Sequence, residues 1–191
     1  MSQNVKNSFK LKNVVSSSRP LELLHMDLFG PSRTMSLGGN YYALVIVDDF
    51  SRYTWTLFLE SKSDAFSAFK KLARSLQNIR NNNIGSIRSD HGGEFQNEKF
   101  SKLCEKTGIL HNFSAPITPQ QNGVVERKNK SLEELARTML SESSLRKYFG
   151  VDVVSASCYV MNRVLIRLIL NRTPYEPVSY THLTLPTNRE V

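Results

Sequence analysis

The chain has 191 residues, of which 40% are hydrophobic, and its 25 Lys and Arg against 17 Asp and Glu give a net charge of +8. This size predicts one globular domain with short tails and excludes two large domains. No apolar run approaches the ~18 residues of a membrane helix, and the polar residues after Met1 do not form an export signal, so we expect an intracellular protein without a membrane span. The positive charge indicates a phosphate-rich polymer as partner.

The first half of the chain is predicted to form a linker and then strands. Residues 1–19 are polar, lack sustained periodicity and predict a linker or leader. The mostly apolar segment 21–29 predicts a buried strand that stops at Gly30-Pro31 and carries Asp27 near its end. The runs 41–47 and 53–59, rich in aromatic and β-branched residues, predict a hairpin.

Helical spacing dominates the second half of the chain. Apolar residues three and four apart predict helices from 63 to about 80, over 97–106, from 121 onward and over 151–168. Short strands are predicted at 84–88 and 109–113. This order predicts an α/β fold with a mixed sheet covered by helices.

Three motifs follow one another in the sequence: GGNYYALVIVDDFSRYTW at 38–55, SDHGGEF at 89–95 and TPQQNGVVERKN at 118–129. Together they resemble the integrase core of copia-type long-terminal-repeat retrotransposons, over about residues 20–176. The resemblance implies an RNase H-like fold with a mixed five-stranded sheet flanked by helices. It also implies an active site made of Asp27, Asp90 and Glu126, the last two separated by 35 residues.

The implied activity is metal-dependent polynucleotidyl transfer on DNA. In this family water trims the ends of the element, and the resulting 3′-hydroxyl then attacks the target strand. Carboxylates suit this reaction because they bind Mg²⁺ or Mn²⁺, two of which can activate the attacking hydroxyl and stabilise the leaving oxygen. Asp27, Asp90 and Glu126 are thus the predicted metal ligands, and without metal they would repel one another.

The predicted helix around Glu126 carries several cations that we assign to DNA phosphates. At 100° per residue, Glu126 lies about a quarter turn from the apolar face, at the rim of the core. The alternative is a solvated helix face, on which Glu133 and Arg137 form an i,i+4 pair. The predicted nucleic-acid contacts are Gln121, Asn122, Arg127, Lys128, Lys130 and Arg137.

Other acidic and metal-ligating residues have structural interpretations. Asp48 and Asp49 form a conspicuous pair, but their place in the predicted hairpin turn favours a structural role over metal binding. Glu94 is expected to cap or contact the next helix. The four histidines make no metal-ligand spacing with the two cysteines, which excludes a zinc module in this chain. His91 stands where the family usually has Asn, and it could donate a hydrogen bond near the metals.

The match also sets expectations for the ends of the chain and for its partners. Residues 177–191 depart from the family, and we expect this tail to derive from a foreign or frame-shifted junction. Full-length integrases of this type act on DNA as homo-oligomers, and this substrate implies action in the nucleus. Two alternatives stay open, an RNase H-type nuclease and a catalytically silent DNA-binding remnant.

Overall fold

The computed structural model describes residues 17–32, 35–36, 38–80, 83–114, 122–143 and 146–179. Its strands are β1 (Leu23–Phe29), β2 (Tyr42–Asp48), β3 (Thr54–Leu59), β4 (Ser86–Ser89) and β5 (Leu110–Phe113). Its α-helices are α1 (Ala65–Arg80), α2 (Glu98–Thr107), α3 (Gly123–Glu142), α4 (Gly150–Val164) and α5 (Tyr175–Ser179). Short 3₁₀ helices, Lys62–Asp64 and Lys147–Phe149, precede α1 and α4.

The five strands form one mixed sheet in the order β3-β2-β1-β4-β5. The hairpin of β2 and β3 is antiparallel, as is the β1–β2 pair, whereas β4 runs parallel to both β1 and β5. The mixed five-stranded sheet predicted from the sequence is therefore confirmed. Parallel neighbours require crossover connections, and α2 supplies the one between β4 and β5.

Helices cover the sheet on both faces. Successive residues of β2 alternate between two cores, with Leu44 and Ile46 in one and Val45 and Val47 in the other. The helices α1 and α2 pack into the first core, and α3 and α4 pack into the second. The two helix layers therefore lie on opposite sides of the sheet, and α3 shares its side with one set of β1 side chains.

The start of α2 agrees with the prediction, whereas the end of α4 differs from it. Asn97 caps α2, because its side chain accepts hydrogen bonds from the N–H groups of Lys99 and Phe100, and Glu94 contacts this helix start through its backbone carbonyl, which accepts a hydrogen bond from Nδ2 of Asn97 at 2.9 Å. The last long helix ends at Val164 instead of continuing to residue 168. Beyond it, Arg167 donates hydrogen bonds to the backbone carbonyls of the turn between β2 and β3, which holds the chain away from a helical path.

Two further expectations concern the ends of the chain and the membrane. Pro177 lies within α5, and residues 180–191 of the predicted atypical tail lie outside the described residues, as do residues 1–16 of the predicted linker. Among the described helices, none combines the length and apolar character needed to cross a membrane.

Candidate functional site

Asp27 lies on β1 with its side chain on the side of the sheet that α3 covers. The neighbouring residues Met26 and Leu28 pack into the opposite core, so the alternation of the strand turns Asp27 toward α3. Its Oδ1 accepts a hydrogen bond from the N–H of Leu28 at 3.0 Å, and its Oδ2 accepts one from Nδ2 of Asn129 at 2.7 Å. A polar contact therefore joins the strand to α3 at the predicted active-site residue.

Parallel pairing brings Asp90 toward Asp27. Strands β1 and β4 pair with His25 opposite Arg88, and the same register continued for two residues puts Asp90 beside Asp27. Asp90 directly follows the last residue of β4 and is exposed. Its Oδ1 accepts a hydrogen bond from the N–H of Gly92 at 3.0 Å, which orders the turn after the strand.

The electrostatics of Asp27 link it to both other acids. Burial raises the pKa of the Asp27 carboxyl from 3.8 to about 6, with a further contribution from the negative charge of Asp90. The charge of Glu126, which is exposed on the first turns of α3, acts weakly in the same direction. The hydrogen bonds from Leu28 and Asn129 oppose the shift in pKa without cancelling it. All three acids therefore influence one electrostatic environment.

The three acids do not form a closed coordination shell. Within the part of the chain that the structure describes, no group of three His, Cys, Asp or Glu side chains is close enough to hold a metal ion. Nor does any of these acids form an ion pair with a described Lys, Arg or His. Within the described segments, no protein cation therefore neutralises their negative charges at close range.

Asn129 is a site residue that the sequence did not single out as a partner of Asp27. It lies three residues after Glu126 on α3 and is 6% exposed. Its amide nitrogen donates to Asp27, whereas its Oδ1 is buried with no hydrogen-bond partner among the described residues. The available signal was the i,i+3 spacing from Glu126, which places both side chains on neighbouring parts of one helix surface.

The predicted nucleic-acid contacts fall on different parts of α3. Lys130 and Arg137 are exposed on the flank of Glu126. Lys128 differs from the expectation, because two residues turn it 200° from Glu126. It is partly buried and lines, with Arg127 and Arg52, a cleft against β2 and α4. Burial lowers the pKa of the Lys128 ammonium.

Of the two amide residues predicted to contact nucleic acid near the start of α3, the structure describes Asn122 but not Gln121. Asn122 is 5% exposed, and its Oδ1 has no hydrogen-bond partner within the described segments. Its side chain also makes no capping hydrogen bond at the helix start. Gln121 lies outside the described residues. Contact of these two residues with nucleic acid stays a prediction.

Asp48 and Asp49 are structural, as the hairpin position predicted. Asp48 is fully buried and accepts hydrogen bonds from the backbone N–H groups of Leu21 and Ser51 at 2.8 Å each. Asp49 accepts a hydrogen bond from Arg52 at 2.7 Å, and its Oδ1 lies 3.1 Å from Nε2 of His25. These contacts fasten the hairpin turn to the adjoining chain.

His91 is held against the end of β5. Its ring stacks on Phe113 with centroids 5.1 Å apart, and its Nδ1 lies 3.2 Å from Oε1 of Gln96. Phe113 also contacts His111, whose pKa burial lowers to about 4 and whose Nε2 lies 2.9 Å from Oγ of Ser89. This stack packs the loop after Asp90 against the neighbouring strand.

Comparison with known proteins identifies this arrangement. The Integrase core domain family matches residues 17–119, which include Asp27 and Asp90. The Retrovirus-related Pol polyprotein from transposon TNT 1-94 of Nicotiana tabacum is 35% identical over 168 residues, 85% of this chain and 13% of that protein. The Transposon Ty1-DR6 Gag-Pol polyprotein of Saccharomyces cerevisiae is 26% identical over 149 residues, 77% of this chain and 8% of that protein.

Solved structures support the fold. The HTLV-2 integrase catalytic core domain in complex with magnesium, in its trimeric form, has a TM-score of 0.64 at 18% identity, covering 84% of this chain and 97% of that one. The BIV integrase catalytic core domain has a TM-score of 0.59 at 22% identity, covering 83% and 93%. These likenesses show the RNase H-like fold of integrase cores. From its family match and its plant and yeast relatives, the chain belongs to the integrase core domain family, as the core of a copia-type retrotransposon integrase.

Proposed function

We propose that this chain carries the catalytic core of a polynucleotidyl transferase that processes the 3′ ends of element DNA and joins them to target DNA. Asp27, Asp90 and Glu126 are the proposed catalytic residues. The observation that carries the proposal is that the parallel β1–β4 register puts Asp90 beside Asp27, whose side chain faces α3, and the raised pKa of Asp27 supports it. Perturbed carboxylates of this kind, on a fold shared with integrase cores, favour a catalytic over a structural role.

The donor set fits divalent cations. Carboxylate oxygens are hard ligands, and Asp27, Asp90 and Glu126 have no protein cation in an ion pair among the described residues. The HTLV-2 integrase catalytic core domain forms a complex with magnesium. Two ions, Mg²⁺ or Mn²⁺, would supply activation of the attacking hydroxyl and stabilisation of the leaving oxygen.

Hydrogen bonds and packing within the chain orient the three acids. Asn129 orients Asp27 through its amide hydrogen bond, which favours the ionised carboxylate that a cation requires. The turn after β4 orients Asp90 through the N–H of Gly92. Glu126 stands on a long helix whose apolar side is anchored in the core. The acids are therefore carried by separate elements, and a cation between them would offset their mutual repulsion.

Binding of DNA is assigned to the cations and amides of α3 and the segment before it. Phosphate contacts supply affinity and position without reading sequence. The exposed Lys130 and Arg137 would contact the strand nearest Glu126, and the cleft of Arg127 and Lys128 would hold a phosphate on another side of α3. The proposed contacts are Gln121, Asn122, Arg127, Lys128, Lys130 and Arg137.

The chain spans 13% and 11% of the plant Pol polyproteins that it matches. Action on element and target DNA, assembly as a homo-oligomer and a place in the nucleus are accordingly proposals about the longer protein. A simian T-cell lymphotropic virus intasome, which shares the fold with a TM-score of 0.68, supports the assembly proposal by analogy. We also propose residues 20–176 as the core, with 1–19 as linker and 177–191 as an atypical tail.

Substitution of Asp90 tests the proposal. The chain is titrated with Mn²⁺ by calorimetry and incubated with duplex DNA whose end matches the element terminus. Asp90→Asn is expected to lower Mn²⁺ affinity by at least about tenfold and to abolish nicking and joining of DNA, because a metal ligand is lost. Glu94→Gln, four residues away in the same segment, serves as the matched control and should leave both measurements unchanged.

The same experiment separates the alternatives. Unchanged Mn²⁺ binding in Asp90→Asn would refute the assignment of the metal site. Preferential cleavage of an RNA–DNA hybrid would identify the RNase H-type nuclease instead. Salt-sensitive DNA binding without turnover in any variant would identify the DNA-binding remnant.

A further inference from the structure

A second basic surface lies on the face of the sheet that α3 does not cover. The helices α1 and α2 flank an open cleft of about 390 Å³ on this side. Its floor is apolar and is made by side chains that also pack on the core, namely Phe66, Ala73, Leu103 and Ile109. We call this feature the α1–α2 cleft.

Cations surround the apolar floor. Three of them lie on α2 at spacings of three and four residues, and two lie four residues apart on α1, so each helix presents a row toward the cleft. The lining contains no Asp or Glu, and the sequence of α1 has none at all. The five cations are Lys70, Arg74, Lys99, Lys102 and Lys106.

These charges are largely uncompensated. Lys102 forms an ion pair with Glu98 at 2.7 Å, and it is the only one of the five that pairs with a described acid. Lys70 lies over the Phe66 ring at 5.7 Å, a contact that leaves its charge in place. Arg74, Lys99 and Lys106 are exposed. Like charges gathered around an apolar floor repel one another and favour an anionic occupant.

We propose that the α1–α2 cleft docks an acidic amphipathic helix of a partner protein. Apolar side chains on one face of such a helix would occupy the floor, while Asp or Glu on its flanks would meet the two rows of cations. A DNA duplex matches the cleft less well, because its phosphates would meet the rims while the apolar floor made no contact. The proposal is independent of the catalytic function, since Asp27 faces the opposite side of the sheet.

A synthetic peptide tests this surface in the full chain. The probe is a fluorescent peptide of about 14 residues, about 21 Å long as a helix, with Leu at i, i+4, i+7 and i+11 and Glu on both flanks. A scrambled peptide of the same composition keeps the charge and removes the apolar face. Fluorescence anisotropy is expected to show binding of the patterned peptide at least about tenfold tighter than that of the scrambled one.

Charge reversal locates the binding site. Arg74→Glu and Lys106→Glu should each raise the Kd of the patterned peptide about fivefold, because an attraction becomes a repulsion. Lys71→Glu is the matched control, since Lys71 is exposed on α1 but does not line the cleft, and it should leave the Kd unchanged.

Three outcomes would overturn the proposal. A Kd of the patterned peptide above about 1 mM would show that the cleft does not dock such a helix. Equal affinity for the scrambled peptide would leave only non-specific charge attraction. Displacement of the peptide by duplex DNA, with an equal loss of DNA affinity in Arg74→Glu and none in Lys71→Glu, would assign the cleft to nucleic acid. These binding measurements do not depend on DNA joining, so failure of the catalytic proposal would not change their interpretation.

Discussion

Replacing Asp27 with Asn should stabilise the metal-free protein at neutral and alkaline pH. Burial, with the charges of Asp90 and Glu126, raises the pKa of Asp27 from 3.8 to about 6 in the folded chain. Between these two values the folded state binds more protons than the unfolded state, so the free energy of unfolding falls as the pH rises. Below pH 3.8 both states are protonated and the penalty vanishes, whereas above about pH 6 it is complete.

The size of the effect follows from the shift. About two pKa units at 1.36 kcal/mol each correspond to about 3 kcal/mol of destabilisation at pH 8. An Asn at position 27 can still accept from Asn129, but its amide cannot also accept from the N–H of Leu28, which costs about 1 kcal/mol. We therefore expect Asp27→Asn to raise the free energy of unfolding by about 2 kcal/mol at pH 8 and to give no gain at pH 3.5.

Urea denaturation at both pH values, followed by circular dichroism, measures this difference. Glu133→Gln, which removes an exposed carboxylate from α3, is the control variant. Its free energy of unfolding should differ little from that of the native chain at both pH values. Mg²⁺ at 100 times its Kd should stabilise the native protein by about 2.7 kcal/mol and Asp27→Asn by much less. A variant no more stable than the native chain at pH 8, or a gain that does not depend on pH, would refute the electrostatic account of this site.

Two further predictions concern polar contacts between elements. Asn129→Ala removes the amide donor to Asp27 and should raise the pKa of Asp27 further, which NMR titration of the carboxyl would detect; an unchanged pKa would contradict the positioning role of Asn129. Asn162→Leu should lower the free energy of unfolding by about 2–4 kcal/mol, because the Asn162 side chain pairs with both the N–H and the C=O of Thr54 and joins α4 to β3. Chemical denaturation measures the loss, which Asn162→Gln should share, and a change within about 0.5 kcal/mol would show that the bridge is unimportant.

Local patterns account for most of the fold. The alternation in β2 and the three- and four-residue spacing in α1 each identify a buried surface, which is why these elements were predictable. The C-terminal end of α4 was not predictable from the sequence, because residues 165–169 continue an apolar pattern although they are largely exposed. Their path depends on Arg167, whose hydrogen bonds reach a turn more than a hundred residues earlier in the chain.

The candidate site, like the fold, contains residues that the sequence predicted and residues that only tertiary packing brings together. Its acids could be named from motifs, because carboxylates at those positions have recognisable neighbours in the sequence. The polar partner of Asp27 could not be named from the sequence. Asn129 is 102 residues away and donates its hydrogen bond to Asp27 only because α3 packs against β1. The flank occupied by Lys128 likewise depends on where α4 and β2 lie against α3.

The amino-acid sequence alone determined the order of strands and helices, the identity of the acids and the positive charge, since each of these is a local or additive property of the residues. Only the tertiary structure decided that Asp90 approaches Asp27, that Asn129 holds Asp27, and that the cations divide between two faces. The physical reason is that parallel strand pairing and helix packing join residues far apart along the chain, and burial then changes their charges in a way that no short segment encodes.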